Sequence, residues 1–401
     1  MVLRSSNIKN GKIDLTDLIK VNTIIRDNQY IENNDILICA RNGSKSLVGK
    51  CAIFNNESNE KAAFGAFMTV LKTSCYKFAY YFLNTTLFRS ILDSDDSKQI
   101  NQLTQDVLKN ALIPLPPLTE QKRITTHLDN TYALIEEVNK YSSELDALKN
   151  LLKSKILELA IQGKLVEQDE NDEPASVLLE RIRTEKKVQL GKKYVESYIY
   201  KGDDNCYYEK IGSEVKNITE EIPFDVPNTW QYIRLKELIK LISGVSYEKA
   251  DICSNGIRIL RGGNVGNLTV QLQEDDVFLP AKYFDEEKQV KIGDVIIVAS
   301  TGSKVAIGRA GFVEKDYSNT QIGAFLRIIR PNNIEFADYI KCLLSTDYYR
   351  EHIRNKVHGN TINNIKSEYI EDFIVPLPPM KEQARIASRV KDLMSILKDE
   401  A

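Results

Sequence analysis

An eleven-residue segment that starts at residue 114 occurs a second time in this chain of 401 residues. The sequence PLPPLTEQKRI at residues 114–124 returns as PLPPMKEQARI at residues 376–386, which begins 262 residues later. This spacing is too long for a solenoid repeat and fits a whole domain plus a connector. We therefore predict two related domains, each of which ends in a similar stiff connecting segment.

The repeat extends through each domain, because three further pairs of blocks recur in the same order. The pairs are LRSSNI at 3–8 with LRGGNV at 260–265, NDILICARNGSK at 34–45 with GDVIIVASTGSK at 293–304, and GAF at 65–67 with GAF at 323–325. The offset between partners drifts only from 257 to 262 residues. Small insertions in loops account for such a drift, so the two domains are predicted to share one fold.

Each domain is predicted to belong to the α+β class, with a curved sheet and flanking helices. Contiguous β-branched residues indicate buried strands, and apolar residues at every third or fourth position indicate helices. Strands are expected at 36–40, 48–54, 290–298, 305–313, 325–329 and 370–375, and helices at 76–92 and 336–355.

A long helix is predicted over residues 119–162, where apolar side chains repeat every seven positions for about five heptads. Thr119 is the expected N-cap and Gly163 the expected C-terminal stop. At about 1.5 Å per residue, this helix would be roughly 66 Å long. The same apolar pattern restarts after the second copy, at residues 386–397. We expect the two helices to pair in antiparallel fashion and to place the domains at opposite ends, because each would cover the apolar seam of the other.

The remaining segments set the expected domain limits. Residues 167–173 are an acidic run, a short charged helix is expected at 175–187, and residues 201–221 are expected to be extended or poorly ordered. A further helix is expected around residues 235–242. The resulting divisions are 1–117 for the first domain, 118–164 for the long helix, 165–220 for the linker, 221–379 for the second domain and 380–401 for the start of a second long helix.

Composition and motifs argue against a catalytic or membrane protein. The net charge is −2, the six cysteines form no CxxC pair, and no apolar stretch is long enough to span a bilayer. A soluble, cytoplasmic protein is therefore expected. No P-loop, dinucleotide-binding glycine motif or catalytic triad is recognisable. His127, His352 and His358 form no metal-ligand pattern. We expect this chain itself to be non-catalytic and to hold no cofactor or metal.

The doubled PLPP motif followed by a heptad helix resembles the specificity subunit of type I restriction-modification systems. IQGKLV at 161–166, DEPA at 172–175 and PNTW at 227–230 are similar to the same family, and the resemblance covers essentially the whole chain. It implies two target-recognition domains that each read half of a split double-stranded DNA target, with the helices as a ruler between them. It also implies that two methyltransferase (modification) subunits dock on the helices and that restriction subunits join outside. Adenine methylation and ATP-dependent cleavage belong to those partners.

Two repeated turns contain the candidate DNA-binding residues, together with the polar segment 354–361. These residues are Arg4, Asn7, Arg41, Lys45, Lys50, Arg261, Asn264, Lys304, Arg309 and Lys356. Both copies keep these turns although their targets should differ, so phosphate contact or a role in the fold is favoured over base reading. The base-reading residues are expected where the copies diverge, at residues 9–30 and 266–288.

The two long helices begin with the same pair of residues, and this pair has two interpretations. Glu120 with Gln121 and Glu382 with Gln383 suit the positive end of the helix dipole, which is a structural role. The functional alternative is a junction that the methyltransferase recognises. We favour the structural role and keep partner docking as the alternative.

The chain departs from the family pattern at both ends. Met1 aligns with Arg258, so the first domain is expected to lack a counterpart of residues 221–257, and the second long helix is expected to be cut short. A fragment, a phase-variable cassette or one part of a split subunit would have this form, and another polypeptide or a second copy would then cover the exposed seam. The competing function class is a non-DNA scaffold, with two protein-binding domains on a coiled-coil strut. The net acidic charge favours that alternative.

Overall fold

The computed structural model describes residues 1–56, 60–93, 102–357 and 363–397. The chain divides into two compact units, Met1–Ser143 and Glu144–Ala401. Each unit combines short strands with helices, which agrees with the predicted α+β class.

Unit 1 contains the following elements. The strands are β1 (Val2–Leu3), β2 (Ile8–Lys9), β3 (Lys12–Ile13), β4 (Tyr30–Ile31), β5 (Ile36–Cys39), β6 (Cys51–Ile53), β7 (Ala62–Phe64) and β8 (Met68–Leu71). The helices are α1 (Tyr76–Leu83), α2 (Thr86–Asp93), α3 (Gln105–Asn110) and the first part of α4 (Leu118–Ile161).

The core of unit 1 is organised around β5. This strand pairs antiparallel with β6 on one side and with β8 on the other, and all its residues are buried. Successive side chains of a strand point to opposite faces. Leu37 and Cys39 therefore join one apolar cluster with Leu3 and Ile8, whereas Ile36 and Ile38 join a second cluster with helices α1 and α2. The second sheet has the order β1-β7-β4, and β2 pairs with β3 as a hairpin.

Unit 2 begins with the end of α4 and contains the following elements. The strands are β9 (Ser197–Lys201), β10 (Tyr207–Ile211), β11 (Glu214–Asn217), β12 (Gln231–Arg234), β13 (Ile239–Ser243), β14 (Ile257–Leu260), β15 (Leu268–Thr269), β16 (Val277–Leu279), β17 (Val295–Val298), β18 (Ser300–Thr301), β19 (Ala310–Phe312), β20 (Thr320–Ile322), β21 (Leu326–Pro331), β22 (Asn363–Asn364) and β23 (Ile374–Leu377). The helices are α5 (Ala175–Leu190), α6 (Ala337–Leu344), α7 (Asp347–Lys356), α8 (Ser367–Glu371) and α9 (Met380–Ile396).

The largest sheet of unit 2 has the strand order β13-β21-β17-β19-β15. Its central strand β17 is fully buried and divides its side chains between two cores, as β5 does in unit 1. Smaller sheets pair β16-β14-β20, β12-β23, β18-β22 and β11-β10-β9. The two units therefore repeat the same arrangement around a buried central strand.

Buried polar side chains also repeat between the units. The side-chain carboxylate of Asp35 accepts a hydrogen bond from the backbone of Glu32 at 2.8 Å, and Asp294 accepts one from Lys291 at 2.8 Å. Both carboxylates also form an ion pair, Asp35 with a lysine and Asp294 with an arginine. The duplication seen in the sequence thus extends to the hydrogen bonds inside each fold.

The predicted helix at 336–355 is two helices, and so is the predicted helix at 76–92. Thr346 caps α7, because its hydroxyl accepts a hydrogen bond from the backbone of Tyr349 at 3.2 Å. Thr85 makes the same contact with Phe88 at 3.2 Å before α2. A threonine hydroxyl satisfies an unpaired amide at a helix start. Apolar residues recur at helical spacing across both breaks, so the sequence pattern did not indicate where one helix ends and the next begins.

Four of the predicted strands were wrong in part. The strand expected at 48–54 is only β6 (Cys51–Ile53), and the strand expected at 290–298 begins at Val295 as β17. Strand β19 begins only at Ala310, and residues 304–308 form turns, in which Gly308 adopts a φ of +73°. A side chain there would also approach Ile353 Cγ2 to 2.9 Å. The segment expected as a strand at 370–375 starts instead with the end of helix α8 and becomes strand β23 at Ile374.

The long helix was predicted nearly to its full extent, and its observed length is 44 residues. Its predicted N-cap was wrong, because the helix already includes Thr119. The Pro117 carbonyl accepts hydrogen bonds from the backbone amides of Glu120 and Gln121. Gly163 follows the last turn with a φ of +70°, the left-handed conformation typical of a C-terminal stop.

The segment predicted to be extended or poorly ordered at 201–221 contains two strands of an ordered antiparallel sheet. Strand β10 pairs with both β9 and β11, and Glu209 at its centre forms a buried ion pair with Arg234 at 2.5 Å. The expected helix at 235–242 is a single 3-10 turn followed by strand β13. Helix α5 was predicted and extends three residues further than expected.

The apolar seam of the long helix has two different environments. Ile156 and Leu157 at its C-terminal end share a core with Ile386 and Val390 of α9. Farther toward the N-terminus, apolar side chains of α4 are between 47% and 66% exposed; these are Leu134, Ile135, Val138, Tyr141, Leu145, Leu148, Leu151 and Leu152. Among the described helices, none combines the length and hydropathy that crossing a bilayer requires.

Candidate nucleic-acid interface

The first candidate turn of unit 1 follows strand β1 and is held by Asn7. The Asn7 side chain is 1% exposed, and its Oδ1 accepts a hydrogen bond from the Arg4 backbone at 2.9 Å. Its Nδ2 donates to the carbonyl oxygens of Asp14 at 3.0 Å and Asp17 at 2.9 Å. Asn7 therefore fixes the loop from inside and is not available to DNA.

Asn264 occupies the equivalent position after strand β14 in unit 2. It is also 1% exposed, and its Oδ1 accepts from the Arg261 backbone at 2.7 Å. Its Nδ2 donates to the Gln271 carbonyl at 3.0 Å and to Asp276 Oδ1 at 2.5 Å. Burial raises the pKa of Asp276, but the bonds from Asn264 and Arg258 outweigh it and hold that pKa below its usual range.

Arg4 and Arg261 lie three positions before the two asparagines, and each forms an ion pair with an exposed carboxylate. Arg4 Nη2 lies 3.2 Å from Asp17 Oδ2, and Arg261 Nη2 lies 2.8 Å from Asp275 Oδ2. The arginine side chains are 40% and 41% exposed, and the aspartates 78% and 80%. Exposed ion pairs contribute little to stability. A DNA phosphate could replace the aspartate in each pair at small cost.

The second candidate turn of unit 1 follows the central strand β5. Arg41 and Lys45 are exposed, and Lys50 is half-buried. The Arg41 guanidinium lies 5.6 Å from the ring centre of Phe67 and makes no hydrogen bond or ion pair with a described residue. The turn therefore presents cationic groups next to an aromatic ring.

In unit 2 the two candidate turns are joined directly. Arg309 follows the second turn, and its Nη2 donates to the carbonyl of Gly262 in the first turn at 2.8 Å. Lys304 on the second turn is exposed and has no hydrogen bond or ion pair with a described residue. Lys304 is thus available for an outside anion, whereas Arg309 partly serves the fold.

Helix α7 packs against the second turn of unit 2, because a side chain at Gly308 would meet Ile353 of that helix. Lys356 is exposed at the C-terminal end of the same helix. It follows Ile353 by three positions, so it lies on a helix that contacts the candidate surface. The predicted polar segment 354–361 continues past Val357 into residues outside the described part of the chain.

Both units match one family of proteins. The model of the type I restriction modification DNA specificity domain matches residues 2–147 and 227–400. The chain belongs to this family. The matched residues include both candidate turns of each unit and both EQ motifs, whereas residues 148–226 fall outside the match.

Several specificity subunits are similar to the chain over most of its length. The EcoKI specificity subunit of Escherichia coli K12 is 26% identical over 402 residues, which cover 98% of this chain and 75% of that protein. The EcoAI specificity subunit of Escherichia coli is 27% identical and covers 71% of this chain. The chain spans about half (54%) of the EcoAI length.

A solved structure from work on assembly and conformational transition of the type I R-M system has the same fold. It aligns with a TM-score of 0.62 at 17% identity, over 99% of this chain and 84% of that chain. The fold of the specificity family is therefore present in both units.

The start of each long helix has a structural role in this member of the specificity family. Gln121 is 8% exposed and Gln383 is 1% exposed. Their Nε2 atoms donate to the carbonyls of Pro116 at 2.8 Å and Pro378 at 2.9 Å. This bond ties the helix start to the preceding proline segment, and burial leaves little of either glutamine for a partner.

Glu120 and Glu382 differ in burial and in hydrogen bonding, whereas the two glutamines are alike. Glu382 is 1% exposed and accepts hydrogen bonds from Trp230 Nε1 at 2.9 Å and from Gln168 Nε2 at 2.5 Å. Burial raises the pKa of Glu382, and these bonds oppose the rise only in part. Glu120 is half-buried, and no described residue donates to its side chain. Partner docking therefore stays a prediction for Glu120, whereas Glu382 is enclosed by the fold.

Sequence reasoning missed an exposed phenylalanine in each unit of this specificity protein. Phe67 is 59% exposed and Phe325 is 69% exposed. The repeated GAF triplet was visible in the sequence, but Phe325 was interpreted only as the first residue of a strand at 325–329. Across residues 1–56, 60–93, 102–357 and 363–397, no cluster of His, Cys, Asp or Glu could hold a metal ion.

Proposed function

We propose that this chain is the non-catalytic DNA sequence-recognition subunit of a type I restriction-modification complex that acts in the cytoplasm. The match of both units to the DNA specificity domain carries the proposal. The units would form two target-recognition domains, within the limits 1–117 and 221–379, and each would bind one half of a bipartite double-stranded target. The long helix would set the distance between the half-sites.

The two turns of each unit support a role in phosphate binding. Arg4, Arg41 and Lys45 in unit 1, with Arg261 and Lys304 in unit 2, all expose at least part of a cationic side chain. Phosphate contacts position a protein on the duplex, whereas base edges give specificity. Base reading is assigned to residues 9–30 and 266–288, where the copies diverge. Asn7 and Asn264 are left out of direct contact, because both are buried.

The exposed apolar side chains of α4 support docking of protein partners. Leu134, Val138 and Leu148 are each more than 60% exposed. Exposed apolar area is costly in water, at about 25 cal/mol per Å². Two modification subunits would cover this surface, with Glu120 at its edge, and restriction subunits would join the assembled complex. Adenine methylation and ATP-dependent cleavage would reside in these partners.

Sequencing of methylated DNA tests the proposed function directly. The chain is expressed together with its modification subunit in a host that lacks adenine methylation at the target. A new bipartite methylated motif is expected, with two specified halves separated by an unspecified gap. Methylation without sequence preference, or none in the presence of an active modification subunit, would contradict the proposal.

Salt dependence separates DNA recognition from a protein scaffold. DNA affinity of the assembled complex should fall steeply with added salt, because each phosphate contact releases counterions. Replacement of Arg41 or Lys304 by glutamine should lower the slope of log K against log salt by about one, if each side chain holds one phosphate. Lys192→Gln is the control, since this exposed lysine lies in neither candidate turn.

A further inference from the structure

Phe67 and Phe325 occupy the same place in the two units and are both largely exposed. Each ends a GAF triplet, and in each triplet the glycine amide donates to a strand carbonyl at 2.9 Å, from Leu3 in unit 1 and Leu260 in unit 2. An exposed large apolar side chain is common on protein surfaces when it occurs once. Its recurrence at one structural position in both copies indicates a shared use.

The backbone holds both rings in a fixed place. The Phe67 carbonyl accepts hydrogen bonds from the backbones of Ala40 at 2.9 Å and Arg41 at 3.1 Å. The Phe325 carbonyl accepts from Ala299 at 2.9 Å and Ser300 at 3.0 Å. The donors directly follow the buried central strand of each unit. The aromatic side chain is thus anchored to the most buried strand while its ring stays in solvent.

Four chain segments that carry or flank the two rings contain no acidic residue. The segments that carry and flank them are 40–50 and 64–72 in unit 1, and 299–309 and 323–331 in unit 2. These segments contain several lysines and arginines and no aspartate or glutamate, although the whole chain has 56 acidic residues. Lys72 and Arg330 among these cations pair with Asp35 and Asp294, whereas Arg41 and Lys304 form no ion pair with a described residue. The Arg41 guanidinium beside the Phe67 ring makes no ion pair with a described residue. Such a surround favours a polyanionic partner over an acidic or neutral protein surface.

We infer that Phe67 and Phe325 each place their ring against duplex DNA in a contact that is independent of base sequence. This inference rests on the proposed DNA-recognition function and adds an apolar component to it. The two units keep the ring while their targets should differ, so the ring must meet a feature that every duplex offers. The deoxyribose face is such a feature, because every nucleotide of a duplex exposes it whatever its base, whereas the π-faces of paired bases are covered by their stacked neighbours.

The test uses the full chain assembled with its modification subunit and a duplex that contains the methylated motif. Phe67→Ala and Phe325→Ala should each weaken DNA binding about tenfold, because the apolar contact between the ring and the sugar face is lost. The slope of log K against log salt should stay unchanged, because no phosphate contact is removed. Phe325→Tyr should restore binding, since it keeps the ring.

Leu112→Ala and Val188→Ala are the matched controls. Both side chains are more than 80% exposed and lie outside the four segments around the rings. These variants should bind DNA as the unsubstituted complex does. Thermal unfolding of all variants is compared, and equal midpoints show that the exposed rings do not support the fold.

The outcomes separate the inference from the proposed function. If the complex binds its target and the alanine variants bind equally well, the inference is overturned and the proposed function stands. If the alanine variants fail to assemble with the modification subunit in light scattering, the rings dock a protein, which also overturns the inference. If the unsubstituted complex binds no DNA at any salt concentration, both fall. Weaker DNA binding with normal assembly and an unchanged salt slope supports the inference.

Discussion

The two EQ motifs are alike in sequence and differ in what surrounds them. Gln121 and Gln383 both donate to the carbonyl of a proline five residues earlier. Glu382 is enclosed by Trp230 and Gln168, whereas Glu120 is half-buried without a described donor. The hydrogen bond of each glutamine joins two residues of the repeated motif, so it is the same in both units. The glutamate contact needs residues from outside the motif, and among the described residues unit 2 alone places such residues beside it.

The largest expected effect concerns a contact that the two units share. Asn7→Ala and Asn264→Ala should each destabilise their own unit by about 2–3 kcal/mol, because buried backbone groups lose their partners. Hydrogen exchange measured by mass spectrometry reads the two units separately, at residues 1–19 and 258–276. Each variant should speed exchange in its own unit and leave the other unchanged. Equal exchange in variant and wild type would show that the buried asparagines do not hold the turns.

Much of this shared framework could be predicted from the sequence. The central strands at residues 36–40 and 295–298 are contiguous apolar runs, and the long helix has a regular heptad pattern. These signals are strong because they reflect burial on both faces of a strand or along one face of a helix. The breaks before Thr86 and Asp347 were missed, because a threonine cap can lie within an uninterrupted helical period.

The candidate interface was predictable only in part, because exposure depends on neighbours that are distant in sequence. Asn264 was a sensible candidate for DNA contact, but its loop folds around it through Gln271 and Asp276. Phe325 belonged to a repeated triplet, and only the structure shows that its ring is 69% exposed while its carbonyl is bound to the backbone. Local sequence specified the turns, and tertiary contacts decided which side chains they present.

The two glutamates should respond differently to the same substitution. Glu382→Ala should lower the stability of unit 2 by roughly 2 kcal/mol, since the buried Trp230 Nε1 loses its acceptor. Glu120→Ala should change stability by less than about 0.5 kcal/mol, as is usual for surface substitutions. The chain has one tryptophan, so urea unfolding followed by its emission reports unit 2. Unfolding of Glu120→Ala is followed by circular dichroism. A similar loss of stability in both variants would contradict the expected difference between the units.

A smaller effect is expected at a buried ring that differs between the units. Tyr349 is fully buried and its hydroxyl has no hydrogen-bond partner among the described residues, whereas unit 1 has Phe88 at this position. Tyr349→Phe should therefore leave unit 2 unchanged or stabilise it by up to about 1 kcal/mol. The reverse change, Phe88→Tyr, should destabilise unit 1 by a similar amount. Thermal unfolding of both variants checks this, and a clear loss for Tyr349→Phe would reveal a partner for the hydroxyl.

The smallest effect is the pH dependence that Glu382 gives to the stability of unit 2. Burial raises the pKa of Glu382 above its usual value of 4.5, so the folded state binds this proton at a higher pH than the unfolded state does. Stability from this group must therefore increase as the pH falls from the raised pKa toward 4.5, and it must decrease again as the pH rises. Glu382→Gln removes the titration while keeping an oxygen acceptor for Trp230. Unfolding in urea is followed by tryptophan emission. As the pH is lowered through this window, the urea midpoint of the wild type should increase relative to the midpoint of Glu382→Gln. A constant difference between the two midpoints would mean that the pKa of Glu382 is the same in the folded and unfolded states. Glu382 and Glu120 would then differ only in how tightly they are packed.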